Sequence, residues 1–321
     1  MHRHLFILLL SLFTFCLAQT CDVSRAKALL STLERKGLLN EVWSLVKDEY
    51  IYTDFQGLDW QEARRVYLER VLEVKTNEEF YTTVDQMILE LGDDHSVYLS
   101  PWSACQEDSY SDEDVAPYEP TVKRLESEPS VLYIDIPSFN IYDADLILDT
   151  QLRRVLQRGR VRAVMIDLRH NYGGYLDTAY NVLSTFVRGR LGTEYDLYGE
   201  TAVRREPGLY YRELRGIPIV VFVDADTHSA AELVAGILAQ KRDAIIIGQT
   251  SAGNTEIVYP FDFSDGSRLW LATGGFQLDD GTSIEGRGVI PDVVIDKVAE
   301  ESVYIEAGLE ALGLTARAES Q

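Results

Sequence analysis

Ile217-Pro218-Ile219-Val220-Val221-Phe222-Val223-Asp224-Ala225-Asp226-Thr227-His228-Ser229-Ala230-Ala231-Glu232 is the stretch on which the fold turns. Its apolar run fits a buried strand, and the break at Asp224–Thr227 followed by small residues predicts a turn into a helix. Ser229 falls at the helix start, where unpaired N–H groups and the positive end of the macrodipole face outward. A serine there is either a plain N-cap or a nucleophile whose neighbouring N–H stabilises an oxyanion.

Outward from this turn, β-rich and helical runs alternate. Val131–Ile136 precedes Ala144–Leu156, Ala163–Leu168 precedes Leu176–Val187, and Ala230–Ala239 leads to Ala244–Gly248. Such alternation predicts an α/β fold with a mostly parallel sheet. Residues 190–211 are less regular and fit an extra hairpin. Arg268–Thr273 and Val289–Ile295 read as further strands, and Glu300–Leu312 as a closing helix.

The front of the chain is different. Between residues 22 and 92, Leu29, Leu30 and Leu33, then Val42, Leu45 and Val46, and later Val84, Met87, Ile88 and Leu91 recur at helical steps. This predicts a small helical subdomain ending at Gly92-Asp93-Asp94-His95. Residues 102–130 are acidic and broken by Pro117, Pro120 and Pro129, the pattern of a solvated connector whose spacing fits no calcium loop. The expected division is a signal peptide at 1–18, a helical subdomain at 19–101, the connector at 102–130 and an α/β core at 131–321.

Composition limits the partners. A net charge of −22 over 321 residues argues against nucleic acid and anionic membrane surfaces. His2, Arg3 and His4 before the apolar run Leu5–Leu17, closed by Ala18, form the pattern of a cleavable secretory signal. The run is too short for a comfortable membrane span, so a secreted or periplasmic product without one is expected. Cleavage would leave Cys21 and Cys105, which either pair or stay free in an oxidising compartment. The histidines and cysteines are too few and scattered for a zinc site, and no metal or organic cofactor is implied.

Arg169-His170-Asn171-Tyr172-Gly173-Gly174 follows a predicted strand, and paired glycines let bare backbone approach a ligand or simply make a tight turn. Together with Ser229-Ala230-Ala231-Glu232, Thr250…Gly253 and Glu285-Gly286-Arg287-Gly288-Val289-Ile290-Pro291-Asp292, this motif resembles the C-terminal processing peptidase superfamily. That superfamily includes the tail-specific proteases, the tricorn core proteases and the interphotoreceptor retinoid-binding proteins. The likeness extends upstream to Trp43, Tyr50, Asp59-Trp60 and Asp94-His95-Ser96-Val97-Tyr98-Leu99-Ser100-Pro101. It implies a crotonase-like core, with Ser229 as nucleophile and the N–H groups of Gly173, Gly174 and Ala230 as oxyanion hole.

The sequence departs from the family pattern in two places. Members with a lysine base carry it twenty-five residues after the serine, where this chain has Asn254, which cannot take a proton. Lys241 lies roughly 18 Å away along a helix, which is too far. The tail-binding PDZ module, expected between Pro101 and Val131, is replaced by the connector.

By resemblance to tricorn, His95 is the base and Glu285 the acid, giving a Ser229–His95–Glu285 triad. Asp94 is a possible orienter of His95, and Arg169 a brace for the glycine loop. His228 is the alternative base. The expected reaction is hydrolysis of peptide or unfolded-protein substrates through an acyl-enzyme, with Ser229 Oγ within hydrogen-bond reach of the His95 ring, about 3 Å and looser without substrate. The rival reading is a secreted, non-catalytic module for a hydrophobic ligand or peptide, like the retinoid-binding relatives, with some of the 18 Tyr and 11 Phe lining a pocket.

Overall fold

The computed structural model describes residues 29–108, 118–296 and 299–314. The expected signal segment 1–18 and Cys21 lie outside the described residues. No helix among those described is long and apolar enough to cross a membrane.

The described helices are α1 (Thr32–Glu49), α2 (Trp60–Glu73), α3 (Asn77–Leu89), α4 (Pro101–Glu107), α5 (Ala144–Leu156), α6 (Leu176–Ser184), α7 (Tyr211–Leu214), α8 (Ala230–Arg242) and α9 (Glu301–Ala311). The strands are β1 (Val97–Leu99), β2 (Thr121–Arg124), β3 (Val131–Asp135), β4 (Ala163–Asp167), β5 (Gly189–Asp196) and β6 (Glu200–Arg205), followed by β7 (Ile219–Val223), β8 (Ile245–Gly248), β9 (Ile257–Asp262), β10 (Arg268–Leu278) and β11 (Val293–Val294).

The apolar runs form one sheet in the order β11-β8-β7-β4-β3-β2. Every pair is parallel except the edge strand β2, which runs antiparallel to β3. Alternate residues of each strand point to opposite faces. Leu132, Ile134, Val164, Ile166, Val221 and Val223 pack beneath α5, α6 and α8. Val131, Tyr133, Met165, Val220 and Phe222 pack under Tyr304 and Leu309 of α9. Both faces are covered, so the strands read as unbroken apolar runs. Each buried Val, Ile or Phe stabilises the sheet by about 1.5–3 kcal/mol.

The front helices form as their termini predict. Ser31 with Glu34, and Thr76 with Glu79, make capping boxes at α1 and α3, satisfying backbone N–H groups that a helix start leaves unpaired. Trp43 and Trp60 lock α1 to α2 by donating each indole N–H to the other's carbonyl, at 2.8 and 3.1 Å.

These helices are not a free-standing bundle. Leu39, Val42, Phe80 and Ile88 share a core with Leu269, Leu271 and Ala272 of β10. Farther along the same strand, Phe276 and Leu278 enter the core of the parallel sheet. β10 belongs to a second, antiparallel sheet, β1-β10-β5-β6 with β9 also paired to β10. The hairpin expected within 190–211 is β5–β6. The strand expected over Arg268–Thr273 is the first part of β10, whose apolar pattern is interrupted by Gly274 and Gly275. The acidic connector expected over 102–130 holds most of α4 and all of β2, with 109–117 outside the described residues. β11 is much shorter than the strand expected over 289–295.

Candidate active site

Ser229 stands at the sharp turn between β7 and α8 with φ 51° and ψ −124°. A non-glycine residue there costs about 1–3 kcal/mol, so the surroundings must hold it in place. Glu232 does so. Its fully buried carboxylate accepts Ser229 N–H at 3.0 Å, Asn254 N–H at 2.9 Å, Gly253 N–H at 2.6 Å and the Ser251 hydroxyl at 2.6 Å. The Ser229 N–H is shared with the Asn254 carbonyl at 2.9 Å. Glu232 N–H in turn donates to the Ser229 carbonyl at 2.9 Å.

The glycine loop lies against this turn. Buried Asn171 donates to the Ile136 carbonyl, accepts Gly173 N–H at 2.8 Å, and accepts His228 N–H at its own carbonyl. A Cβ on Gly173 would sit 2.7 Å from Ser229 Cβ, and one on Gly174 would sit 2.4 Å from the backbone at Phe139 and Asn140. Only glycine fits at either place. The engagement of Gly173 N–H by Asn171 sets it apart from the other two predicted donors: Gly174 and Ala230 keep N–H groups without a partner among the described residues.

His95 arrives from the other layer, in the turn between α3 and β1. Asp93 fixes that turn, accepting His95 N–H at 2.9 Å and Ser96 N–H with one oxygen and the Tyr50 hydroxyl with the other. Ser96 Oγ accepts Ala272 N–H, tying the turn to β10. The His95 Nδ1 lies 3.0 Å from Glu256 Oε2, and Tyr52 donates to the other Glu256 oxygen at 3.0 Å.

Glu285, the acid expected on His95, sits one step behind. It accepts the N–H and hydroxyl of Thr255, and its carboxyl contacts that of Glu256. Burial acts to raise Glu256, but hydrogen bonds from His95, from its own backbone and from Glu285 hold it below the ordinary carboxylate range. Burial, with the charge of Glu256, outweighs the Thr255 hydrogen bonds and pushes Glu285 up to about 7. Of the two carboxyls, the surroundings favour the protonated form at Glu285 and the ionised form at Glu256.

The remaining predicted residues fall as follows. Asp94 is exposed, and Asp93, not Asp94, braces the histidine turn. Arg169 grips Asp167 and lies 4.1 Å over the Tyr304 ring, with no side-chain hydrogen bond to the glycine loop or to His95 among the described residues. His228 stacks on Tyr172 with ring centroids 5.5 Å apart. His170, Asp224 and Asp226 bring three donor atoms within 4.8 Å and could hold a metal ion, though His170 Nδ1 is already paired with both carboxylates at 3.0 and 3.2 Å. Ser229 Oγ and the His95 ring are not hydrogen-bonded to each other among the described residues. One short segment nevertheless holds both: the Asn254 carbonyl binds Ser229 N–H, and Glu256, two residues on, binds His95. Two residues of chain reach at most about 7 Å.

Sequence reasoning missed Glu256, Glu232 as the hub of the turn, and Asp93. The available signal for Glu256 was a carboxylate directly before the apolar start of β9, two places after the missing lysine.

Comparison with known proteins agrees with this architecture. The profile of Peptidase family S41 matches residues 130–295, and that of the tricorn protease C1 domain matches residues 31–88. The chain is 31% identical over 144 residues to the carboxy-terminal-processing protease of Bartonella bacilliformis, which covers 44% of this chain and 33% of that protein. It thus spans about a third of the length of this curated relative. A lipoprotein from Streptococcus agalactiae superposes with a TM-score of 0.67 at 21% identity, covering 87% of this chain and 96% of that one. The photosystem II D1 C-terminal processing protease superposes with a TM-score of 0.62 at 18% identity, covering 82% and 93%. With Ser229, Glu256 and Glu285 all inside a family match that takes in half of the sequence, the chain belongs to peptidase family S41.

Proposed function

We propose that this protein is a serine endopeptidase in which Ser229 attacks a peptide carbonyl, His95 moves the proton and Glu256 orients His95. The observation that carries the reading is the His95–Glu256 hydrogen bond, formed on the segment that also binds the Ser229 backbone. Asn254 at the lysine position offers no base. With Nδ1 facing Glu256, Nε2 is the ring nitrogen left to take the Ser229 proton and pass it to the leaving amine. Gly174 and Ala230 N–H groups stabilise the developing oxyanion, and water then releases the acyl-enzyme. The missing Oγ–imidazole hydrogen bond fits a resting site, since such bonds often tighten only when substrate is present. Glu285 supports Glu256 as a protonated neighbour and does not touch His95.

Export to a secreted or periplasmic setting belongs to the same proposal. It is supported by the basic start and apolar run at 1–18 and by the disulfide-bonded state of Cys105, since disulfides persist in oxidising compartments. The proposed pairing with Cys21 lies outside the described residues. Substrates are peptides or unfolded segments.

Covalent labelling by a fluorophosphonate tests the reading. Wild type should label, Ser229→Ala should not, and His95→Ala should label much more slowly. Wild type that stays unlabelled while binding an apolar ligand would make the protein a binding module. Full activity of His95→Ala, with loss in His228→Ala, would transfer the base to His228.

A further inference from the structure

Three tyrosines near the glycine loop are left without a role by the catalytic reading. Tyr142 is 76% exposed, Tyr172 67% and Tyr175 39%. Scattered exposed aromatics need no explanation, but these occupy the two positions bordering Gly173–Gly174 and the loop paired with them. Phe139 N–H donates to the Gly173 carbonyl and Tyr175 N–H to the Phe139 carbonyl, which fixes residues 139–142 beside the glycines. The Tyr142 and Tyr175 rings stack with centroids 4.2 Å apart and planes 16° apart. On the preceding side of the glycines, the Tyr172 ring stacks on His228, the residue before the nucleophile.

We propose that the ring pairs Tyr142–Tyr175 and Tyr172–His228 are the specificity walls of the site and select peptides with large apolar or aromatic side chains close to the scissile bond. This rests on the serine peptidase reading. Gly173 packs so closely on the nucleophile turn that a Cβ there would sit 2.7 Å from Ser229 Cβ, so rings on its immediate neighbours fall within one side-chain length of the reacting serine. Substrate residues in extended form are about 3.3 Å apart, so the first one or two on each side of the cleaved bond reach these rings. Tyrosine suits such a wall because it offers a large, stiff surface with few rotatable bonds to immobilise. The electrostatics exclude acidic peptides: Glu107 lies in the field felt by Tyr175, Asp224 and Asp226 flank His170 in the same loop, and the whole chain carries −22.

The test uses matched quenched fluorescent peptides differing only by Phe or Asp at the positions flanking the cleaved bond. Wild type is expected to favour Phe in kcat/KM by on the order of tenfold or more. The Tyr142→Ala/Tyr175→Ala double variant and Tyr172→Ala should each bring that ratio towards one at the position they serve. Tyr142→Phe/Tyr175→Phe, which keeps both rings, should retain it. A ratio near one in wild type overturns the proposal, as does an equal fall on both peptides in the alanine variants, which would make the rings structural. Absence of both fluorophosphonate labelling and peptide cleavage in wild type sinks the peptidase reading and this one with it. Labelling without a Phe preference sinks only this one.

Discussion

The two halves of the proposed site are built in opposite ways. The nucleophile turn is local: Ser229, Glu232, Ser251, Gly253 and Asn254 come from neighbouring elements of one core, and a single buried carboxylate gathers four hydrogen bonds. The base side is a long-range assembly. His95 comes from the turn after α3, Tyr52 from the segment after α1, Glu256 from the start of β9 and Glu285 from the loop after β10. A strained turn calls for a rigid local support, whereas a proton carrier needs a correctly aimed partner and tolerates a wetter setting. The His95 side chain is 18% exposed, against none for Glu232. The first half therefore couples to stability and the second to rate.

The largest effects should separate these roles. Ser229→Ala is expected to lower peptide hydrolysis by about 10⁴-fold or more with the melting temperature nearly unchanged, since only the hydroxyl is removed. His95→Ala should approach the same loss in rate and also leave stability within about 1 kcal/mol. Glu232→Ala should act on the fold. It strands the Gly253 and Asn254 N–H groups and the Ser251 hydroxyl in a dry turn, each unsatisfied group costing roughly 1–3 kcal/mol, so a loss of about 3–5 kcal/mol is expected in urea unfolding even after partial rehydration. An unchanged midpoint in Glu232→Ala would break the contrast between the halves.

The same contrast explains what could be read from the sequence. Strands β3, β4 and β7 announce themselves because both sheet faces are buried, and the Ser229 turn because strand, acidic break and small-residue helix follow within sixteen positions. The motif Arg169-x-Asn171-x-Gly173-Gly174 was equally visible, although its individual bonds were not. The partner of His95 was not legible, because Glu256 is 161 residues away and two carboxyls, Glu256 and Glu285, compete for one place. Which of them meets the imidazole is decided by the path of the chain into β9, a tertiary fact with no local signature. The second sheet escaped for a similar reason: β10 is shared between two cores, and its glycines disguise its length.

Substitutions at those two carboxyls sharpen the assembly side. Glu256→Gln keeps the shape but removes the charge facing Nδ1, and can turn the imidazole to the wrong tautomer. A fall of about 10²–10⁴ in kcat is expected, with KM little changed. Glu285→Gln leaves Glu256 on His95, so a fall of no more than about tenfold is expected at neutral pH. The reverse order, with Glu285→Gln the more damaging, would restore Glu285 as the residue that orients His95 and make Glu256 its support.

The smallest predicted effect is a dependence of stability on pH that belongs to Glu285. In the folded protein its carboxyl is raised to about 7 by burial and by the charge on Glu256, while the unfolded chain titrates near the ordinary value of 4.5. Between those two values the folded state binds more protons than the unfolded one, so stability falls as pH rises through the window. The contribution is fully present below about 4.5 and gone above about 7. Glu256, held below the ordinary range, works in the opposite sense and only in more acidic solution, where protonation removes its stabilisation. After solvent screening, the Glu285 effect is on the order of 1–2 kcal/mol. Melting curves collected from pH 4.5 to 7.5 should show wild type losing stability across that range relative to Glu285→Gln, whose amide cannot titrate. Parallel curves for the two proteins would mean that Glu285 is ionised throughout, and that two adjacent charges rather than a shared proton stand behind His95.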